Sequence, residues 1–211
     1  MAGNKSFSEW SQIEVEKQFG IQQVFENATL EEWINASDTI SEFEMDTIEP
    51  LRAKAQMYIY VWNEADYTAN FISNIFSLVD FNQFRYSTFY EQPVEVSMGD
   101  YLVKGRIDLM IAKGRGIPEK PYFFMQEFKQ EKGSGDAIAQ VLLAMIYAQK
   151  QNEGKLPIYG GYINGRNWFF IILEDNKYTI SETFIATKKE DLLQIVRILK
   201  YLKKQIEVYP Q

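Results

Sequence analysis

The sequence predicts an α/β fold in which a mixed central sheet is flanked by helices, with a helical extension at the N-terminus. Three observations lead there. Apolar residues recur at helical spacing from Asn63 to Val79; three consecutive segments after Asp80 alternate with a period of two; and a helical period returns after Asp136, followed by further strand-like runs. The chain of 211 residues has no repeat, low-complexity tract or Pro/Gly/Ser-rich linker. It therefore reads as an extension, residues 1–50, packed on a core domain, residues 51–211.

Residues 6–48 read as short helices, one of them opened by Thr29-Leu30-Glu31-Glu32 in the pattern of a capping box. Glu49-Pro50 sets a proline at the first turn of a longer helix. Thr68, Phe71, Ile72, Ile75, Phe76 and Val79 share one face of the next helix, which packs on the core. Tyr86 to Met98, Tyr101 to Ala112 and Pro121 to Glu131 are predicted strands, with a tight turn at Met98-Gly99-Asp100 and a longer loop from Lys113 to Lys120. Ser134 and Asp136 open a helix with Ile138, Val141, Leu142 and Met145 on one face. Strands Ile158 to Ile163 and Trp168 to Glu174 follow, joined across Asn164-Gly165, and then a strand from Tyr178 to Ala186. The capping pattern Thr187-Lys188-Lys189-Glu190 opens a closing amphipathic helix with Leu192, Val196, Leu199 and Leu202 inward. The aromatic set Tyr159, Tyr162, Trp168, Phe169 and Phe170 is better explained by core packing than by base stacking.

Composition removes most chemistries. There is no cysteine and no histidine, which excludes disulfides, thiolate metal sites, catalytic triads and imidazole ligands. Catalysis must use carboxylates, lysine, hydroxyls or a hard metal ion. The start of the chain has no leader-like pattern and no run is long enough to span a bilayer, so a cytoplasmic location without membrane association is expected. A net charge of −7 argues against a coat of phosphate contacts but leaves room for a local basic cleft.

Three polar residues interrupt this frame. In the second strand Val103, Gly105, Ile107, Leu109 and Ile111 are expected on one face and Lys104, Arg106, Asp108 and Met110 on the other. In the third, Phe123, Met125, Glu127, Lys129 and Glu131 are expected to share a face. Two partly buried carboxylates on neighbouring strands repel each other unless a cation joins them. Mg²⁺, which prefers oxygen ligands, is suited to Asp108, Glu127 and a backbone carbonyl, with Lys129 free to orient water. The plainer alternative is a Lys129 salt bridge on a half-exposed sheet.

Gly105-Arg106-Ile107-Asp108, a loop, Met125-Gln126-Glu127-Phe128-Lys129, and then a helix with Gln140 resemble the PD-(D/E)XK nuclease superfamily, whose restriction-endonuclease-like core runs αβββαβ. The resemblance implies a metal-dependent nuclease acting on nucleic acid, DNA before RNA, with Mg²⁺ replaceable by Mn²⁺, and it is compatible with a homodimer. It further implies Asp108, Glu127 and the Phe128 carbonyl as metal ligands and Lys129 as the catalytic lysine. Asn63-Glu64-Ala65-Asp66-Tyr67-Thr68 resembles the opening helix of the nuclease domains in type I restriction subunits, which makes Glu64 the acidic residue of the first core helix. Its helical phase matches Thr68 and Phe71, so Glu64 is expected to face the sheet. Gln140 matches a glutamine that many members carry; in the Gln-x-x-x-Tyr version a tyrosine follows, whereas position 144 here is Ala144. The alternative from another class is a non-catalytic descendant of the fold that binds nucleic acid or a protein.

Overall fold

The computed structural model describes residues 3–98, 101–129, 135–154 and 156–209. Among the described residues nine strands form one mixed sheet in the order β1-β4-β5-β6-β7-β8-β2, with β3 (Tyr86–Met98) along β4 and β9 (Phe184–Ile185) along β7. The remaining strands are β1 (Gly3–Ser6), β2 (Gln22–Gln23), β4 (Tyr101–Lys113), β5 (Glu119–Lys129), β6 (Ile158–Asn164), β7 (Asn167–Glu174) and β8 (Lys177–Ile180). Helices cover both faces, so the sheet has two apolar sides. One side packs α2 (Ala28–Ile34), α3 (Glu42–Tyr58), α4 (Glu64–Tyr67), α5 (Ser73–Val79) and α7 (Lys189–Glu207) through Trp33, Ile48, Tyr67, Phe76 and Leu199. The other packs α1 (Gln12–Phe19) and α6 (Ala137–Gln151) through Val15, Leu142 and Met145. No helix among the described residues is long and apolar enough to cross a membrane.

The first fifty residues do more than pack helices on the outside. β1 pairs in parallel with the start of β4 and β2 with β8, two additions to the sheet that periodicity misses because they are only four and two residues long. α3 runs unbroken through positions 50 and 51, the predicted boundary. It begins at a Ser41–Glu44 capping box, so Pro50 lies inside the helix instead of in its first turn. Pro50 is exposed, and so is Asp46, whose carbonyl it leaves without an amide donor. The α2 cap is Asn27, which accepts from the Leu30 N–H at 2.8 Å; Thr29 instead donates its hydroxyl to Glu174. At α7 the cap is Lys188, without a side-chain bond, so Thr187 does not cap.

The helix predicted from Asn63 to Val79 is divided by a π-helical turn, Thr68–Ile72, and the strand predicted from Tyr178 to Ala186 is divided into β8 and β9. The expected turn at Gly99-Asp100, together with Glu131, Lys132 and Ser134, lies outside the described residues. Asp136 caps α6 by accepting from the Ala139 N–H at 3.0 Å, and its other oxygen accepts from the Gln12 N–H at 2.8 Å, which ties α1 to the same helix end.

The course of β4 positions the candidate site. Its first half pairs with β1 and its second half with β5, beginning at Leu109↔Gln126. On the other edge β3 follows it in constant register, but between Tyr90↔Leu109 and Gln92↔Ile107 the residues opposite each other, Glu91 and Asp108, drop out of the pairing. Glu91 adopts φ +52°, outside the extended region. Alternation therefore slips. Val103 and Ile107 pack toward α6 with Met110 and Ala112, whereas Leu109 and Ile111 pack toward α5 and α7. This corrects the expected single face for Val103, Ile107, Leu109 and Ile111. A bulge in β5 likewise turns Phe123 away from Met125, because Ile111↔Phe124 is followed by Ala112↔Tyr122.

Gly105, in the stretch of β4 that pairs with neither β1 nor β5, lies under the Phe7 ring, which occupies the space a Cβ would need. Gly105→Ala should lower stability by about 1–3 kcal/mol in urea melts, as overpacking does. The same substitution in a Phe7→Ala background should cost clearly less; equal costs in the two backgrounds would refute the wedge.

Candidate active site

Where β4 leaves β5, the Phe128 N–H has lost its ladder partner. Asp108 replaces it: the carboxylate Oδ2 accepts from that N–H at 2.7 Å. In an extended strand a residue sends its N–H and C=O to the same neighbour, so the Phe128 carbonyl is directed to the same opening. The next carbonyl, of Lys129, accepts from the Gly165 N–H at 2.9 Å on the β6 side, consistent with this alternation. Glu127 and Lys129 lie on the α6 face of β5, and Lys129 Nζ stands 2.7 Å from Glu127 Oε1. Glu127 is 3% exposed. The three polar residues that interrupt the apolar strands thus meet where two strands part.

The electrostatics are strained in one direction. Burial raises the Asp108 carboxyl to about 6 against the hydrogen bond from Phe128 and the charge of Lys129, and Glu91 and Glu64 push it the same way as burial. Burial, then the Asp108 charge, also pushes the Glu127 carboxyl well above the usual carboxylate range. Burial works to lower the Lys129 ammonium, but Glu127, Asp108 and Glu64 outweigh it and hold it above its ordinary range. Among the described residues one ammonium therefore serves a buried carboxylate and a partly buried one, and the locus favours further positive charge.

Glu64 reaches this cluster, its Oε1 4.0 Å from Lys129 Nζ, but its side chain is 53% exposed. The expectation that it faces the sheet is corrected. It is the first residue of α4, directly after the Asn63 cap, where a side chain overhangs the helix end; Tyr67 is the first residue of that helix to be buried. Gln140 is buried at 7% in α6, its amide nitrogen beside Gly135 and without a hydrogen-bond partner among the described residues. No hydrogen bond joins it to Asp108, Glu127 or Lys129 there. Among the described residues no three acidic side chains stand close enough together to form a ready-made metal cage. The donor set is two carboxylates and a strand carbonyl.

Sequence reading misses several neighbours. Glu91 acts on Asp108 from β3 and is held by Arg106 at 3.3 Å, a relation visible only once register is known. Tyr162 and Asn164 stand beside Glu127 and Lys129 on parallel β6 and, with Lys129 and the Gly135–Ile138 end of α6, line a pocket of about 450 Å³. Tyr162 and Phe169 are only partly buried and stack face to face at 4.5 Å, whereas Trp168 and Phe170 join the core as expected.

A carboxyl that ionises less readily folded than unfolded contributes stability below its unfolded value, and loses it as the pH rises through its folded value. For Asp108 that window runs from 3.8 to about 6. Asp108→Asn keeps an acceptor for the Phe128 N–H. With EDTA present it should match wild type below about pH 4 and be more stable above about pH 6, by up to about 3 kcal/mol. A difference independent of pH across thermal melts would contradict the assignment. Comparison with models of known protein families and with curated proteins finds no match to the chain.

Proposed function

We propose that the protein is a metal-dependent nuclease that hydrolyses phosphodiester bonds in nucleic acid, DNA in the first place, on a restriction-endonuclease-like core. The observation that carries this reading is the convergence of Asp108, Glu127 and Lys129 at the parting of β4 and β5. The order α4–α5, β3, β4, β5, α6, β6, with β6 parallel to β5, supports the αβββαβ core.

The donors fit a hard divalent cation. Both side chains offer oxygen, burial pushes each upward so that a nearby cation would favour its charged form, and Mg²⁺ needs few protein ligands because it keeps waters. Asp108, Glu127 and the Phe128 carbonyl would hold Mg²⁺, or Mn²⁺ in its place. When bound, the ion supplies Lewis acidity toward a phosphate oxygen and makes water more acidic. The Phe128 N–H fixes the Asp108 carboxylate in one orientation. Lys129, held between Glu127 and Glu64, orients the attacking water through Nζ and offers its charge to the phosphate as negative charge grows there. Glu64, Glu127 and Lys129 thus form one connected unit. Gln140 lies in α6 beside Gly135 and makes no hydrogen bond to this unit among the described residues. Hydrolysis is direct, because Asp108 and Glu127 would be engaged by the ion and Lys129 is held protonated, which leaves none of the three free to attack phosphorus.

A second reading, a non-catalytic domain that binds nucleic acid or protein, is favoured by the close Lys129–Glu127 pair, which by itself offsets one buried charge. Substitution separates the two. Lys129→Ala should lower Mg²⁺-dependent cleavage of DNA by at least about 100-fold while Mg²⁺ still raises the melting temperature, since both carboxylates remain. Asp108→Asn should lose both effects. If Mg²⁺ and Mn²⁺ neither stabilise wild type nor support cleavage of single- or double-stranded DNA or RNA, the nuclease reading is wrong.

A further inference from the structure

The segment that leads into α4 is unusually apolar for a surface. Met57, Tyr58, Tyr60 and Val61 are all exposed, Tyr60 at 64%. An exposed cluster of this kind marks a contact surface. It is also ordered from behind: Tyr58 stacks on Trp62, Trp62 on Tyr67 and Tyr67 on Phe71, with centroids 5.8, 5.9 and 5.5 Å apart and planes within 23°, so a ladder of rings runs from the surface into the core. Tyr60 is outside this ladder, and its ring faces the Arg166 guanidinium at 5.9 Å.

Arg166 connects the surface to the carboxylate–lysine cluster. It follows Gly165, whose N–H bonds the Lys129 carbonyl, and its own carbonyl accepts from Ala186 at 2.9 Å. Its Nε is buried without an acceptor among the described residues. An aromatic face, a cation with an unused donor and the Lys129 end of β5 thus adjoin one another. A base has a π face for Tyr60 and a phosphate for Arg166, and it must be unpaired to offer that face.

We propose that Tyr60 and Arg166 form a stacking platform for an unpaired nucleotide next to the scissile phosphate, so that the substrate is single-stranded or frayed nucleic acid. The proposal rests on the nuclease reading for its orientation but not for its binding. With a net charge of −7, stacking must supply more of the affinity than phosphate neutralisation.

The test is fluorescence anisotropy of a labelled twelve-residue oligothymidylate on the full chain with EDTA, which stops cleavage. Tyr60→Ala should weaken binding by about 5- to 150-fold, Tyr60→Phe by less than about twofold, and a blunt duplex should bind more weakly than the single strand. The slope of log affinity against log salt should be shallow, about −1.4 for two phosphate contacts, at Arg166 and Lys129. Tyr60-dependent binding without metal-dependent cleavage upholds the platform and removes the nuclease reading. Equal affinity and equal cleavage in wild type and Tyr60→Ala overturns the platform and leaves the nuclease reading standing. Self-association that Tyr60→Ala abolishes, with no oligonucleotide binding, overturns it in favour of a protein contact.

Discussion

A β-strand in mid-sheet must satisfy hydrogen-bonding groups on both edges, and β4 does so with three partners instead of two. β3 takes one edge, while β1 and β5 divide the other. Between them lies a short stretch of β4 without a main-chain partner on that side among the described residues, and an amide of β5, that of Phe128, faces it. A buried donor left alone is costly, so the Asp108 side chain has to accept from it. That one bond holds a carboxylate in a place where burial disfavours its charge, and the remaining features follow. Lys129 is drawn in to compensate, Glu127 shares it, and Glu64 reaches toward the same ammonium from the helix start.

The parting of the strands has its own causes in the chain. Phe7 covers Gly105, the residue after the last β1 pairing, and Glu91 leaves the extended region opposite Asp108. Asp136 fastens α1 to the α6 end, which keeps the N-terminal segment against this part of the sheet. The first fifty residues therefore help to shape the site although none of the proposed catalytic groups comes from them.

Long regular elements were legible because period and length agree. β3 and β4, the pair β6–β7, α6 and α7 lie close to their predicted bounds. Asp108, Glu127 and Lys129 were legible as polar interruptions of apolar strands, and their meeting depends on β4 and β5 being neighbours, which chain order suggests. What sequence could not supply was register. The face switch at Asp108 and the bulge at Phe123 each move residues by one position, and in a strand one position is a change of face. Glu91 and Tyr162 belong to the site through strand pairing alone, and the two short strands β1 and β2 are added by neighbours, not by their own propensity. Caps misled where two candidates stand close together, as Asn27 and Thr29 do, since either can satisfy the same amides.

The outer edge of β3 carries a further consequence. Thirteen residues long and paired only with β4 among the described residues, it is the kind of border on which another chain could build. Glu91, in its left-handed conformation, and Pro93, which has no amide hydrogen, interrupt that border near its middle, and Glu95 beyond them carries a charge paired with Lys104 at 2.7 Å. An incoming strand would find two short runs in place of one long template. The irregularity that releases Asp108 from regular pairing therefore also guards the protein against edge-to-edge aggregation.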